Sequence, residues 1–402
     1  MTATLDRPPV TKTGGWIPVA AAMFCCGWGG NQFTPLLVMY REAGYSAVTV
    51  DVLLGAYVLG LVPGLLTSGR LANRYGRKPV LFAGTLLSLA ASVLLALGDL
   101  GLGWLAAGRL VSGFGVAVAM AVGSTWVKEL ADADPGSAAD LGTRRAALWL
   151  TLGLCLGPGV AGVLAQWAPF PMELPYLVHI VLTIAALAVL PGTRETGGTE
   201  GSSGGFGRVR HPRFRRVITP MAPWIFGSLG IAYATMPQVV ADRLGNWGLA
   251  YSTLLTICAL GAGIGIQPVA KRLDRHTSAR AVVVAMIVLT LGLVVSAVAA
   301  IFDSPWLALG TAFVLGFAYG IAIVAGLLEL QRLAGNTDLA ELTGVYYALA
   351  YAGFLLPAVL AALSAVVSYV VLLVALAVFA GSGTLFIARH SRRHLPGIGS
   401  LG

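Results

Sequence analysis

An all-α membrane protein is the fold class this sequence predicts, with twelve transmembrane helices in two six-helix pseudo-repeats. Three observations predict it. Hydrophobic residues make up 57% of the 402 residues and charged residues 11%, less than half of the roughly 25% charge of a soluble domain; the mean hydropathy is +0.82. Apolar runs of about 20 residues, each long enough to cross a ~30 Å hydrocarbon layer, recur along the whole chain. Short motifs also return after about 200 residues, as detailed below.

In chain order, residues 1–15 are a polar arm carrying Arg7 and Lys12. The run from Trp16 is too long for a signal-peptide core and lacks a small-residue cleavage site, so it reads as a retained first span. Spans 1 to 6 are expected near 16–40, 48–68, 79–98, 104–127, 146–167 and 175–191, an N-terminal bundle over 16–191. Residues 192–216, Gly/Ser-rich and then basic, read as a flexible cytoplasmic linker. Spans 7 to 12 are expected near 218–240, 250–269, 281–301, 305–328, 342–363 and 367–388, a C-terminal bundle over 217–388 followed by a tail at 389–402.

The net charge is +9, which by itself suits a nucleic-acid binder. Its distribution gives another meaning. With the N-terminus inside, 23 of the 26 Lys and Arg fall in cytoplasmic segments; only Arg41 and Arg243 fall outside, and Arg109 lies within a span. The excess is a topology signal that places both termini in the cytoplasm of a multi-pass protein of the cell membrane. Cys25, Cys26, Cys155 and Cys258 all lie in apolar runs without metal-ligand spacing and read as small apolar residues.

The repeat is visible in four places. "FTP" ending at Pro35 returns as "TMP" ending at Pro237, and "WLAAGR" (104–109) as "WLALGT" (306–311), both 202 residues on. "KEL" (128–130) returns as "LEL" (328–330), and Asn73-Arg74 as Asp274-Arg275. Six spans per repeat leave the halves in the same orientation, as in transporters whose site lies between two rocking halves.

The basic loop "GRLANRYGRK" (69–78) between spans 2 and 3 resembles the signature Gly-x-Leu-x-Asp-Arg-x-Gly-Arg-Lys of the major facilitator superfamily. Gly69, Leu71, Arg74, Gly76, Arg77 and Lys78 match, and Asn73 stands at the acidic position. Arg109 and Gly113 of "RLVSGFG" look like the superfamily's span 4 signature. "GLCLGPGVAG" (153–162) is similar to the span 5 signature of its antiporter branch through Gly153, Gly157, Pro158 and Gly162, with Ala161 replacing a glycine. The resemblance implies the major facilitator fold, a cytoplasmic gate and a bend in span 5. It also implies a cavity lined by spans 1, 4, 7 and 10.

Charged loops can latch the halves by facing the helix N-termini of the other half, which carry unpaired N–H groups and about half a positive charge. Asp274, followed by Arg275, is expected to face Thr143, Arg144 and Arg145 at the start of span 5. Asn73 is expected to face Asp338 and Glu341 at the start of span 11. Two readings of Asn73 stand. It keeps a capping hydrogen bond while Arg74 or Arg77 pairs with Glu341, or the position has drifted and the latch is weak.

Cavity candidates by this layout are Trp28, Asn31, Gln32, Arg109, Tyr233, Gln238, Phe313, Phe317 and Tyr347, with Tyr346 and Tyr351 nearby. A central Arg costs about 2.5–3.5 kcal/mol on insertion scales, so Arg109 needs a partner. It either binds an anionic substrate or couples protons, or it braces backbone carbonyls or Asn31 and Gln32. No carboxylate falls mid-span; Asp51, Glu173 and Asp242 sit at outer rims, and His179 in span 6 reads as a tucked polar residue. Asp51, with Arg109, is the proton-coupling candidate.

No phosphate loop, His-x-x-x-His pair or nucleophile elbow is present, so the expectation is no enzyme, no cofactor and no metal. The sequence reads as a secondary transporter acting as a monomer on a small molecule in the lipid bilayer, without nucleic acid. Proton-linked export of amphipathic compounds is the first reading. An organic-anion carrier using Arg109, or a non-transporting receptor with this fold, are the alternatives.

Overall fold

The computed structural model describes residues 15–132, 141–196, 209–334 and 339–393. Among the described residues, eleven helices are long and apolar enough to cross a membrane. They are span 2 (Ala47–Tyr75), span 3 (Arg77–Ala96), span 4 (Leu102–Ala131), span 5 (Leu141–Trp167) and span 6 (Leu174–Gly192). Then follow span 7 (Phe214–Val239), span 8 (Gly245–Leu273), span 9 (Arg280–Phe302), span 10 (Pro305–Leu333), span 11 (Leu342–Leu363) and span 12 (Tyr369–His390). The first crossing is broken into Ile17–Asn31 and Leu37–Glu42. The break holds Pro35, whose missing N–H and ring oppose a continuous helix.

Helix ends follow local chemistry. Ser46 and Ser368 cap spans 2 and 12 by accepting from the backbone N–H of Thr49 and Val371. Gly76 turns the chain from span 2 into span 3 at φ +96°, a conformation open to glycine at little cost.

Close backbone approach fixes the packing, as small residues allow in lipid. A methyl group at Gly113 would overlap the Tyr57 carbonyl, so span 4 lies directly on span 2. Gly316 makes the same approach to Ala259, so span 10 lies on span 8. Likewise Gly153 meets the Phe24 carbonyl in span 1, and Gly353, 200 residues on, meets that of Pro223 in span 7. The repeat read in the sequence is thus a repeat of helix contacts.

One end of the bundle carries the loops at 70–78 and 271–280 and is called the basic end. The other carries Arg41, Asp51 and Asp303.

Candidate functional site

The two halves are tied together at the end opposite the basic loops. Asp51, at the start of span 2, is fully buried. Its carboxylate accepts from Arg41 Nη2 at 2.7 Å and from Gln238 Nε2 of span 7 at 3.0 Å. Gln238 Oε1 in turn accepts from Tyr369 Oη of span 12 at 3.0 Å, and Arg41 also reaches the Ala234 carbonyl at 3.4 Å. Beside this network, Gln166 of span 5 donates to the Asn246 carbonyl and accepts from Ala250 N of span 8. Gly162 lies in the same seam, where a methyl group would overlap Thr253.

Deeper in, aromatic rings from both halves meet. Phe226 of span 7 stacks on Tyr351 of span 11 at 4.0 Å and on Phe354 at 5.0 Å, and lies 5.8 Å from Tyr319 of span 10. Tyr57 of span 2 stands 6.1 Å from Tyr351, whose hydroxyl points to Met120 Sδ of span 4 at 3.7 Å. Tyr347 is 6.2 Å from Tyr351 and half-buried. Tyr233 is fully buried on span 7.

Arg109 is 2% exposed. Its guanidinium donates to the carbonyls of Gly30 (3.0 Å), Leu53 (3.3 Å) and Leu54 (3.4 Å). The rings of Phe33 and Tyr57 cover it, each with its centroid 4.8 Å away. Its five donors suit such a brace, because carbonyl oxygens satisfy them without a counter-charge. Arg109 is thus bonded to backbone carbonyls, as one of the two readings expects, and not to Asn31 or Gln32.

Several expected cavity residues face elsewhere. Asn31 donates to the Leu154 carbonyl of span 5 at 2.7 Å. Gln32 is held by Trp28 Nε1 and by Ser92, which binds His179 of span 6, so its amide is consumed between spans 1 and 3. Trp28 is buried against Gly157 of span 5. Gln238 belongs to the Asp51 network. Phe313 and Phe317 are 41% and 36% exposed, on the face of span 10 roughly opposite Tyr319 at about 100° per residue. Pro158 is accommodated inside the unbroken helix Leu141–Trp167.

At the basic end the pairs expected across the halves are not formed in the state described. Arg77 donates to Asn73 Oδ1 at 3.0 Å and pairs with Glu129 of span 4 at 3.1 Å. Glu195, just past span 6, accepts from the backbone N–H of both Arg77 and Lys78 at 2.9 Å, capping span 3. Arg74 lies over the ring of Tyr75. The side chain of Glu341 lies outside the described residues, as does Asp338. Asp274 pairs with Arg332 instead of the start of span 5; Arg332 also holds Glu329, which takes a two-pronged bond from buried Arg213 at 2.6 and 2.9 Å. Arg275 is exposed, and Gly69 faces open space. Among the described residues, these four ion pairs each stay within one half.

Residues 19–357 match the sequence profile of the Major Facilitator Superfamily. The chain belongs to this superfamily. Its family and its structural neighbours are those of transporters, not of enzymes. It is similar to human solute carrier family 2, facilitated glucose transporter member 10, at 34% identity over 24% of this chain and 17% of that one. It is also similar to MdtD of Klebsiella pneumoniae (strain 342), a protein named for multidrug resistance, at 31% identity over 39% of this chain and 33% of that one. The chain thus spans a third or less of the length of these relatives. Its fold is similar to that of the nucleoside transporter NupG, with a TM-score of 0.72, 11% identity, and 93% and 99% of the two chains covered. A D-xylose-proton symporter gives 0.70, 13%, 95% and 97%.

Sequence reasoning missed Arg41, Tyr57, Phe226, Tyr319 and Glu195. The pairing of Arg41 with Asp51 had a signal, since the two opposite charges sit ten residues apart at one membrane face. The choice of Tyr319 over Phe317 had none.

Proposed function

We propose that this transporter exports small amphipathic molecules, drugs or the cell's own metabolites, by alternating access coupled to proton entry. The state of Arg109 is the observation that carries the substrate class. Each of its three nitrogens donates to a carbonyl and two rings cover its faces, which leaves little of the cation to an organic anion. What the halves present to each other at mid-depth is aromatic: Tyr57, Phe226, Tyr319, Tyr347 and Tyr351. Such rings suit flat apolar or cationic compounds through stacking and cation–π attraction, with hydroxyls as orienting groups. The similarity to MdtD supports the same class.

In this reading the bundles over 16–191 and 217–388 are the rocking units, joined by the 192–216 linker. The basic end faces the cytoplasm, as the Lys/Arg distribution supports, and both termini lie there. The Asp51 network then closes the outer face, and the state described is the inward-facing one. Asp51 is the proton site. Ionised, it holds Arg41 and Gln238 and keeps the outer gate shut; protonated, it loses its attraction for Arg41 and the gate opens. A single chain contains the whole pathway, so a monomer suffices.

The test is counterflow in proteoliposomes with lipophilic cations and, separately, organic anions. Saturable cation exchange, with Km sensitive to Tyr319 and Phe226, supports the proposal. Saturable anion exchange lost on Arg109→Lys, with cations inert, would replace it by the anion-carrier reading.

A further inference from the structure

One cleft of the molecule lies away from the seam between the two halves. It lies on the lipid-facing side of the C-terminal half, among spans 7, 11 and 12, with a volume of about 750 Å³. Trp224, Gly353, Val359, Phe379, Ser382 and Phe386 are among its walls. From Leu376 to Phe386 its length on span 12 is ten residues, about 15 Å at 1.5 Å per residue, or one leaflet of a ~30 Å hydrocarbon layer. The cleft therefore runs from mid-membrane toward the basic end.

The repeat supplies an internal comparison. The N-terminal half has an equivalent cleft among spans 1, 5 and 6, but of about 250 Å³. Phe24, Leu182 and Ala186 there correspond to Trp224, Ser382 and Phe386, each 200 residues on. Trp149 packs on Phe24 at 6.1 Å and lines the smaller cleft; Leu349, 200 residues on, is not among the residues that line the larger one. The two clefts thus differ in size although two of these three C-terminal residues are the larger ones, and only Ser382 is smaller than its counterpart.

Its mouth is basic and hydroxylated. Thr219 and Ser382 line the end nearest the basic loops. Exposed Arg215 lies one turn before Thr219, and exposed Arg389 one turn beyond Phe386, whose ring packs on His390 at 4.6 Å. We propose that this cleft binds an anionic phospholipid of the adjacent leaflet, one acyl chain between spans 7, 11 and 12 and the phosphate on Arg215 and Arg389. Charge complementarity selects this occupant: basic residues at the membrane surface beside an apolar slot match a headgroup and chain of one molecule.

The test is native mass spectrometry of the purified full chain titrated with phosphatidylglycerol and, separately, phosphatidylcholine. One saturable phosphatidylglycerol, preferred at least tenfold, is expected. The Arg215→Gln/Arg389→Gln pair should lose about 30-fold in phosphatidylglycerol affinity. Gly383→Leu fills the slot from a position where an added Cβ would meet only Met286 Cε at 3.7 Å, and should abolish the saturable lipid in a folded protein. Ala185→Leu in the smaller cleft should change nothing. Equal retention of both lipids, or an unaltered preference in Gly383→Leu, would overturn the proposal. So would displacement of the lipid by a transported cation, which would make the cleft a substrate portal.

Discussion

Replacing Asp51 by Asn removes one charge from the network that ties the halves together, proposed above as the outer gate, and changes its shape very little. In the wild type Arg41 and Gln238 both donate to this carboxylate, and Asp51 itself is fully buried while the Arg41 side chain is 16% exposed. Breaking a buried pair by removing one partner costs about 3–5 kcal/mol. Arg41 keeps some access to water and the Ala234 carbonyl, so we take about 2–3 kcal/mol for the closed gate. At 1.36 kcal/mol per factor of ten, that shifts the closed-to-open ratio about 30- to 150-fold toward open. Spin labels at Val48→Cys and Val366→Cys, exposed residues on opposite halves at that end, report the opening in a background free of the four native cysteines. Asp51→Asn should move the distance distribution outward, and Arg41→Gln/Asp51→Asn should recover part of the closed population because the stranded charge is gone. An unchanged distribution in Asp51→Asn would refute the argument that this pair holds the gate.

Further outcomes follow from the same geometry. Arg109→Lys cannot reach three carbonyls with the same fork, so it should lower the thermal midpoint while substrate Km in the surviving protein stays near wild type; a large Km change at full stability would mean the guanidinium binds substrate. Tyr319→Ala should raise Km about 2- to 10-fold, from the ~0.5–1.5 kcal/mol of an aromatic pair, and Phe313→Ala should leave it unchanged; transport assays in proteoliposomes separate the two. Asn73→Asp places a third carboxylate near the Arg77 guanidinium, which already has Glu129 beside it and Glu195 on its backbone. Faster trypsin cleavage at exposed Arg194 is expected as Glu195 is pushed from the start of span 3, and an unaltered cleavage rate would contradict it.

The fold was legible because lipid imposes a length and a polarity on every span, and because contacts such as Gly113 on Tyr57 recur at Gly316 on Ala259. The broken first span was foreshadowed by Pro35. The site was less legible for a physical reason. In an apolar helix the outer face is apolar too, so Phe313, Phe317 and Tyr319 carry no mark of which one faces inward; only packing against Phe226 decides it. Asn31 and Gln32 are polar enough for a cavity, yet a buried amide is satisfied equally well by the Leu154 carbonyl or by Ser92. The basic-end acids were expected to reach across the halves; in the one state described Asp274 is held by Arg332 of its own bundle, so that expectation concerns the other state. Asn73 itself finds its explanation in Arg77, which needs an acceptor there and already has its acid in Glu129.

The measurement closest to the central claim is proton movement in proteoliposomes loaded with a pH dye and challenged with a lipophilic cation. Proton flow opposite to the cation, saturable and absent in Asp51→Asn, is the predicted result. Saturable cation movement with no proton flow, or proton flow undiminished in Asp51→Asn, would contradict it.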